Sequence, residues 1–171
     1  MNCASLRRRP RRQCIRRAHR QCRDQFIGEC EQTGSCEPTP ILTVSVDTAT
    51  CNEGPSTANV SCGMSVQPLK LTTQGSGSAA GPVGTQLTME GGLGTPDSFT
   101  VSCGGWAQVA STPQIICQRQ AGQPGVITWT LSNDLDGVCP ASLPLTFGFA
   151  AEVSPASGAP MKTAQKMGSC S

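Results

Sequence analysis

Residues 127–132, Ile-Thr-Trp-Thr-Leu-Ser, form the stretch that decides the class of fold. Ile127, Trp129 and Leu131 are apolar and alternate with residues that carry a hydroxyl group. Because successive side chains of a β-strand point to opposite faces, this two-residue period predicts a strand with one buried and one solvated face. We therefore expect Trp129 in the core.

The same period recurs along the chain from residue 41 onward. Seven further strand candidates are residues 42–46, 58–66, 69–73, 86–90, 99–103, 114–119 and 145–151. Segments rich in Gly, Pro, Asn and Asp separate them; we expect residues 52–55 to form a turn and the Gly/Ser-rich residues 74–84 to form a loop. No helical pattern lies between the strands, which excludes a parallel βαβ architecture. The sequence predicts a mainly β fold, an antiparallel immunoglobulin-like β-sandwich, with an eight-stranded jelly roll as the alternative.

Eleven cysteines in 171 residues indicate that the fold is stabilised by disulfides. A chain with 19 glycines and 13 prolines has a thin apolar core, and cross-links compensate for that. No Cys-x2-Cys knuckle occurs, so we predict neither a metal site nor a cofactor. The candidates for disulfides are Cys14, Cys22, Cys30, Cys36, Cys51, Cys62, Cys103, Cys117, Cys139 and Cys170.

The cysteine count is odd, and Cys3 is the candidate for the unpaired residue because no apolar anchor surrounds it. The six cysteines after residue 37 allow fifteen pairings. Cys51 with Cys62, and Cys103 with Cys117, are the pairs that local strand-turn-strand segments favour.

The net charge of +2 conceals a basic beginning and an acidic remainder. Nine of the 13 basic residues lie in the first 23 positions: Arg7, Arg8, Arg9, Arg11, Arg12, Arg16, Arg17, Arg20 and Arg23. An apolar stripe with a spacing of four, from Cys14 to Phe26, predicts a helix over residues 11–32. The arginines could bind nucleic acid, another polyanion such as anionic lipid or cell-wall polymer, or the acidic body of the chain itself.

The predicted organisation has three parts. Residues 1–37 form a helical segment rich in Arg and Cys, and residues 38–154 form the β-sandwich domain. Residues 155–171 form a polar tail that Cys170 tethers.

The sequence predicts no catalytic residue. The one histidine, His19, lies among arginines whose field favours the neutral imidazole, and a packing or surface role is expected. Residues 133–137 offer three oxygen ligands but lack the rest of an EF-hand, which favours an Asx-type turn. Residues 75–80 match a Gly-x-Gly-x-x-Ala string without the strand-turn-helix context of a dinucleotide site.

Trp106 is expected to pack inside the fold rather than form an exposed contact.

Two stretches carry a resemblance to a known family. Residues 52–60, Asn-Glu-Gly-Pro-Ser-Thr-Ala-Asn-Val, resemble the Asn-x-Gly-Pro-x-x-Ala-x-x-Val motif of conserved-repeat immunoglobulin-like domains of bacterial surface and secreted proteins. Residues 105–106 and 116–117, followed by Gly122, resemble the later part of the same domain, so the likeness covers about residues 41–154. It implies a stalk, spacer or adhesive module, with no catalytic residues to transfer.

The sequence thus predicts a non-enzymatic structural or adhesive module that is secreted or lies on the cell surface and can self-assemble. Its expected partners are other copies of itself or surface proteins and polymers. The alternative is a small viral coat protein, because an arginine-rich arm before a β-sandwich resembles that architecture. Residues 1–13 contain no apolar core of a signal peptide, so an upstream start, another export route and no export all remain open. No apolar run is long enough for a transmembrane helix.

Overall fold

The computed structural model describes residues 41–93, 99–111, 114–156 and 161–171. The predicted helix over residues 11–32 and the predicted basic segment lie outside these ranges. The described residues form strands and one short 3-10 helix, Pro140–Ser142, and every strand pairing is antiparallel. The prediction of a mainly β fold is therefore confirmed for this part of the chain.

The strands build two five-stranded sheets. In chain order they are β1 (Thr43–Val44), β2 (Thr48–Pro55), β3 (Leu69–Ala80), β4 (Gln86–Gly91), β5 (Thr100–Ser102), β6 (Ala107–Ala110), β7 (Ile115–Gln118), β8 (Val126–Val138), β9 (Leu145–Ser154) and β10 (Lys162–Cys170). The first sheet has the order β1-β3-β8-β5, with β2 also paired to β3. The second sheet has the order β10-β9-β4-β7-β6.

The hydrophobic core contains inward-facing residues of both sheets. Trp129 of β8 and Phe149 of β9 are fully buried, and the rings of Phe149 and Phe147 meet edge to face at 5.9 Å. Trp106 is 4% exposed and donates from Nε1 to the carbonyl of Pro124 at 2.8 Å. Both tryptophans pack as predicted. Burying each large apolar side chain stabilises the fold by about 1.5–3 kcal/mol.

The predicted loop over residues 74–84 is wrong, because most of this stretch continues β3 to Ala80. A side chain at Gly75 would collide with the ring of Phe149, and one at Gly77 would collide with the carbonyl of Ser45 and with Trp129. The strand is therefore built from the smallest residues where the bulky core residues press against it. Small residues, which are typical of a loop, allow close packing of this strand against its neighbours.

Three other predicted segments differ from the structure. Residues 133–137 continue β8 instead of forming an Asx-type turn, and residues 52–55 end β2 instead of forming a turn. Residues 58–66, a strand candidate, lie in the connection between β2 and β3.

The predicted polar tail contains β10, which pairs with β9 over its whole length. Its residues are polar because an edge strand buries few side chains, and of these only Cys170 is buried. The tether through Cys170 is present, as a disulfide to Cys51.

Candidate functional site

Two disulfides join the sheets to one another. Cys51 of β2 pairs with Cys170 of β10, with 5.4 Å between their Cα atoms. Cys103, just after β5, pairs with Cys117 of β7, with 5.8 Å between their Cα atoms. Because β2 and β5 lie at opposite edges of the first sheet, one cross-link stands on each side of the sandwich.

The third disulfide, between Cys62 and Cys139, fixes the connection between β2 and β3 to the end of β8. The predicted pair Cys103–Cys117 is thus confirmed, and the predicted pair Cys51–Cys62 is wrong. The chain does not turn back after Cys51, because β2 continues to Pro55 and a long connection then places Cys62 beside the β8 end.

The carboxylate of Asp136 holds the start of this connection, residues 56–68. It accepts hydrogen bonds from the hydroxyls of Ser56 and Thr57 and from the backbone N–H groups of Thr57 and Gly137. The Ser56 hydroxyl, with the Thr57 hydroxyl next, lowers the pKa of Asp136 to about 2. Since the folded pKa lies below the ordinary value of 3.8, this contribution to stability is complete above that value and is lost as the pH falls through about 2.

A surface ion pair lies beside Asp136. Lys70 of β3 lies opposite Asp136 of β8 in the strand register, and its Nζ is 2.9 Å from Oδ2 of Asp134, two residues earlier on β8; the side chains of Lys70 and Asp134 are about two-fifths exposed. Their hydrogen bond raises the pKa of Lys70 and lowers that of Asp134. An exposed pair of this kind contributes little to stability.

The outer face of the first sheet presents uncharged hydrogen-bonding groups in register. Two rows cross the strands β2, β3, β8 and β5: Thr48, Ser76, Thr130 and Ser102, and next to them Thr50, Gln74, Ser132 and Thr100. All eight side chains are at least partly exposed. Within the rows, the hydroxyls of Thr48 and Ser76 are hydrogen-bonded at 2.7 Å. Such a face can exchange hydrogen bonds with a neutral, hydroxyl-rich polymer.

The outer face of the second sheet carries a shallow trough of about 560 Å³ over β9. Ala150 and Ala164 are among its lining residues, together with the carboxylates of Glu90 and Glu152. No cationic residue is among the described residues that line it. The two carboxylates make the trough acidic, so it could hold a small cationic group.

The remaining predicted site residues lie outside the described part of the chain. They are Arg7, Arg8, Arg9, Arg11, Arg12, Arg16, Arg17, Arg20 and Arg23, and the cysteines Cys3, Cys14, Cys22, Cys30 and Cys36. Among the residues that the structure describes, no group of three or more His, Cys, Asp or Glu side chains could hold a metal ion. Within the same ranges, no helix has the length and apolarity to span a membrane.

Sequence reasoning missed the role of Asp136 and the buried position of Arg119. Arg119 is 6% exposed and donates to the carbonyls of Gly81 and Gln123, which fixes two loops at one end of the sandwich. The weak signal for Arg119 is its position at the end of the strand candidate 114–119. Asp136 lies in the segment 133–137, for which the sequence predicts a turn, and its partners are distant in sequence.

Comparison with known proteins assigns no family. No family model matches the chain, and no curated protein matches it. Among solved structures, it is similar to AggA, the major subunit of aggregative adherence fimbriae type I from Escherichia coli. The TM-score is 0.36 and the identity 14%, over 77% of this chain and 93% of that chain. At these values the likeness gives this chain neither a family nor a function.

Proposed function

We propose that the chain is a non-enzymatic structural module, with an immunoglobulin-like sandwich, that works outside the cell or on its surface. The observation that carries this proposal is the set of three disulfides among the described residues, two of which cross between the sheets. Disulfides persist in oxidising compartments and are rare in the cytosol. The neighbour order β2-β3-β8-β5 in the first sheet, and the order β10-β9-β4 of three of the five strands in the second sheet, support the immunoglobulin-like topology over the jelly roll.

The position of Cys51–Cys170 suits a module that carries tension. It connects the first long strand to the last strand, and its two cysteines are 119 positions apart in sequence. A force that enters near Ile41 and leaves at Ser171 therefore passes through one covalent bridge. The residues between the two cysteines cannot extend while that bridge is intact, so the sandwich transmits force without unfolding.

Single-molecule stretching of the full chain between its two ends tests this role. The oxidised wild type should give no extension from residues 52–169. The oxidised double variant Cys51→Ala/Cys170→Ala still contains the Cys62–Cys139 bridge. Cys51 and Cys170 are 119 positions apart, and this bridge spans 77 of those positions, so the remaining 42 can extend under force. The variant should therefore lengthen by roughly 150 Å more than the wild type.

The matched control is Cys103→Ala/Cys117→Ala. This pair lies inside the segment that Cys51–Cys170 spans, so its loss should add no length. An oxidised wild type that already extends by roughly 150 Å, as the Cys51→Ala/Cys170→Ala variant is expected to, would show that the bridge does not carry the load.

A further inference from the structure

The exposed apolar side chains of the described residues gather at the two ends of the sandwich. We name these the loop end, at residues 56–68, and the arch end, at residues 81–85, where the chain crosses from the first sheet to the second. Val60, Met64 and Val66 lie at the loop end, and Ile41, Val83, Val126 and Met161 lie at the arch end. Of the nine large apolar residues that are exposed in these ranges, only Val109 and Met167 lie elsewhere.

The strand register places the two groups at opposite ends of the sandwich. β3 runs from Leu69, beside the loop end, to Ala80, beside the arch end. Val126 pairs with Ala80, and Met161 directly precedes the residue that pairs with Val153 at the same end of the second sheet. Twelve residues of extended strand separate the two ends by about 40 Å.

The loop end holds its apolar residues in a fixed arrangement. Cys62–Cys139 and the hydrogen bonds to Asp136 tie down the connection that carries Met64, which is fully exposed. Gly137 lies under Val60, and a side chain there would approach a methyl group of Val60 to 2.7 Å. A rigid apolar surface loses little conformational entropy when it is covered.

The arch end is fixed in a comparable way. The buried guanidinium of Arg119 donates to the carbonyl of Gly81 at 2.8 Å and to that of Gln123 at 3.0 and 3.1 Å. The N–H of Gly84 donates to the carbonyl of Arg119 at 2.9 Å. The loop end, and the part of the arch end that carries Val83 and Val126, are therefore preorganised, and exposed apolar residues grouped on one surface mark interaction sites.

The sides of the sandwich are less suited to pairing with another chain. The long edge strands β2 and β10 are joined by Cys51–Cys170, and Lys166 of β10 donates to the carbonyl of Asp47 at 2.6 Å. At the other side, β5 and β6 have only three and four residues. Strand addition, which needs a long free edge, therefore has little to pair with.

Charge distinguishes the two ends from one another. Lys162 stands next to Met161 at the arch end, and Glu53 lies two residues before the last residue of β2 at the loop end. Both side chains are exposed. Unlike charges favour contact between one loop end and one arch end over contact between two identical ends.

We propose that a second copy of this chain covers each end, so that the loop end of one copy packs on the arch end of the next. Such a contact joins two different surfaces, and its repetition builds an open filament. The inference rests on the proposed structural role and adds the partner and the direction of assembly.

Three exposed methionines provide a matched test in the full chain. Met64→Asp changes the loop end, Met161→Asp changes the arch end, and Met167→Asp changes the outer face of the second sheet, at 69% exposure. Each adds the same charge at a solvent-exposed position, so none disturbs the core. Free thiols are alkylated first, which removes disulfide exchange between copies.

Sedimentation velocity over a range of concentrations measures the assembly. We expect the wild type and Met167→Asp to form chains whose mean mass rises with concentration. Met64→Asp alone and Met161→Asp alone should remain monomeric at concentrations at least tenfold higher. An equal mixture of these two variants should form dimers and stop there, because only one intact loop end and one intact arch end can meet.

Other results would overturn the inference. A wild type that stays monomeric throughout has no such contact. If all three variants assembled like the wild type, the contact would involve other residues. If Met64→Asp alone or Met161→Asp alone formed dimers, identical ends would be in contact. None of these outcomes bears on the stretching experiment, which is made on one molecule and tests the proposed function separately.

Discussion

Removing the Cys51–Cys170 bridge is expected to lower the free energy of unfolding by about 4 kcal/mol. The double variant Cys51→Ala/Cys170→Ala releases a segment whose ends are 119 residues apart in sequence, and the unfolded chain gains the corresponding freedom. The nested Cys62–Cys139 bridge keeps part of that freedom restricted, which makes the loss smaller than for an isolated loop of the same length. Urea unfolding at equilibrium, without reductant, measures the change.

The variant Cys103→Ala/Cys117→Ala supplies the comparison. Its cysteines are 14 residues apart, so the same model gives a loss of about 3 kcal/mol. The cross-link over the longer segment should therefore contribute more to the free energy of unfolding. If loss of Cys103–Cys117 cost the larger amount, restriction of the unfolded chain would not be what the Cys51–Cys170 bridge contributes.

Substituting Gly75→Val should lower the free energy of unfolding by about 3 kcal/mol, because additional carbons in a filled core force neighbours apart. A side chain at this buried position meets the ring of Phe149 on the facing sheet. Gly54→Val is the matched control in β2, where a new Cβ has no atom within 4 Å. It should change the free energy by no more than about 0.5 kcal/mol.

A double-mutant cycle with Phe149→Leu identifies the contact. If the side chain that Gly75→Val adds competes with the ring of Phe149 for one space, the smaller leucine should offset part of the cost of Gly75→Val, so that the two changes are not additive. Additive costs, or a Gly75→Val variant as stable as the wild type, would mean that residues 74–80 are not packed against β9.

The sequence predicted the strands whose buried face is marked by large apolar residues. Trp129 and Leu131 predict β8, and Phe147 and Phe149 predict β9. Alternation of large apolar and polar residues is compatible with few structures other than a half-buried strand. The second half of β3 could not be found in this way. Its buried positions include Gly75, whose neighbour is Phe149, and Gly77, whose neighbours are Ser45 and Trp129. These neighbours are distant in sequence, so a local pattern does not contain them.

The same difference between local and long-range information explains which disulfides the sequence predicts. Cys103–Cys117 joins segments that are close in sequence, and a local argument was sufficient. Cys51–Cys170 depends on β2 and β10 lying at the same side of two different sheets. A polar edge strand has no apolar alternation, so the sequence predicts residues 155–171 as a tail. Without β10, nothing in the sequence indicates that Cys51 pairs with Cys170. The contacts of Asp136 also depend on long-range packing, because its hydroxyl partners are 79 and 80 residues away.

The most direct test of a disulfide-locked module outside the cell is a non-reducing peptide map of the protein from its native source. Intact cells and medium are treated with a membrane-impermeant thiol reagent, and the protein is then isolated without reductant and digested. We expect the protein at the surface or in the medium, with Cys51 linked to Cys170, Cys62 to Cys139 and Cys103 to Cys117. Protein that is found only inside the cell with all eleven cysteines as free thiols would contradict the account.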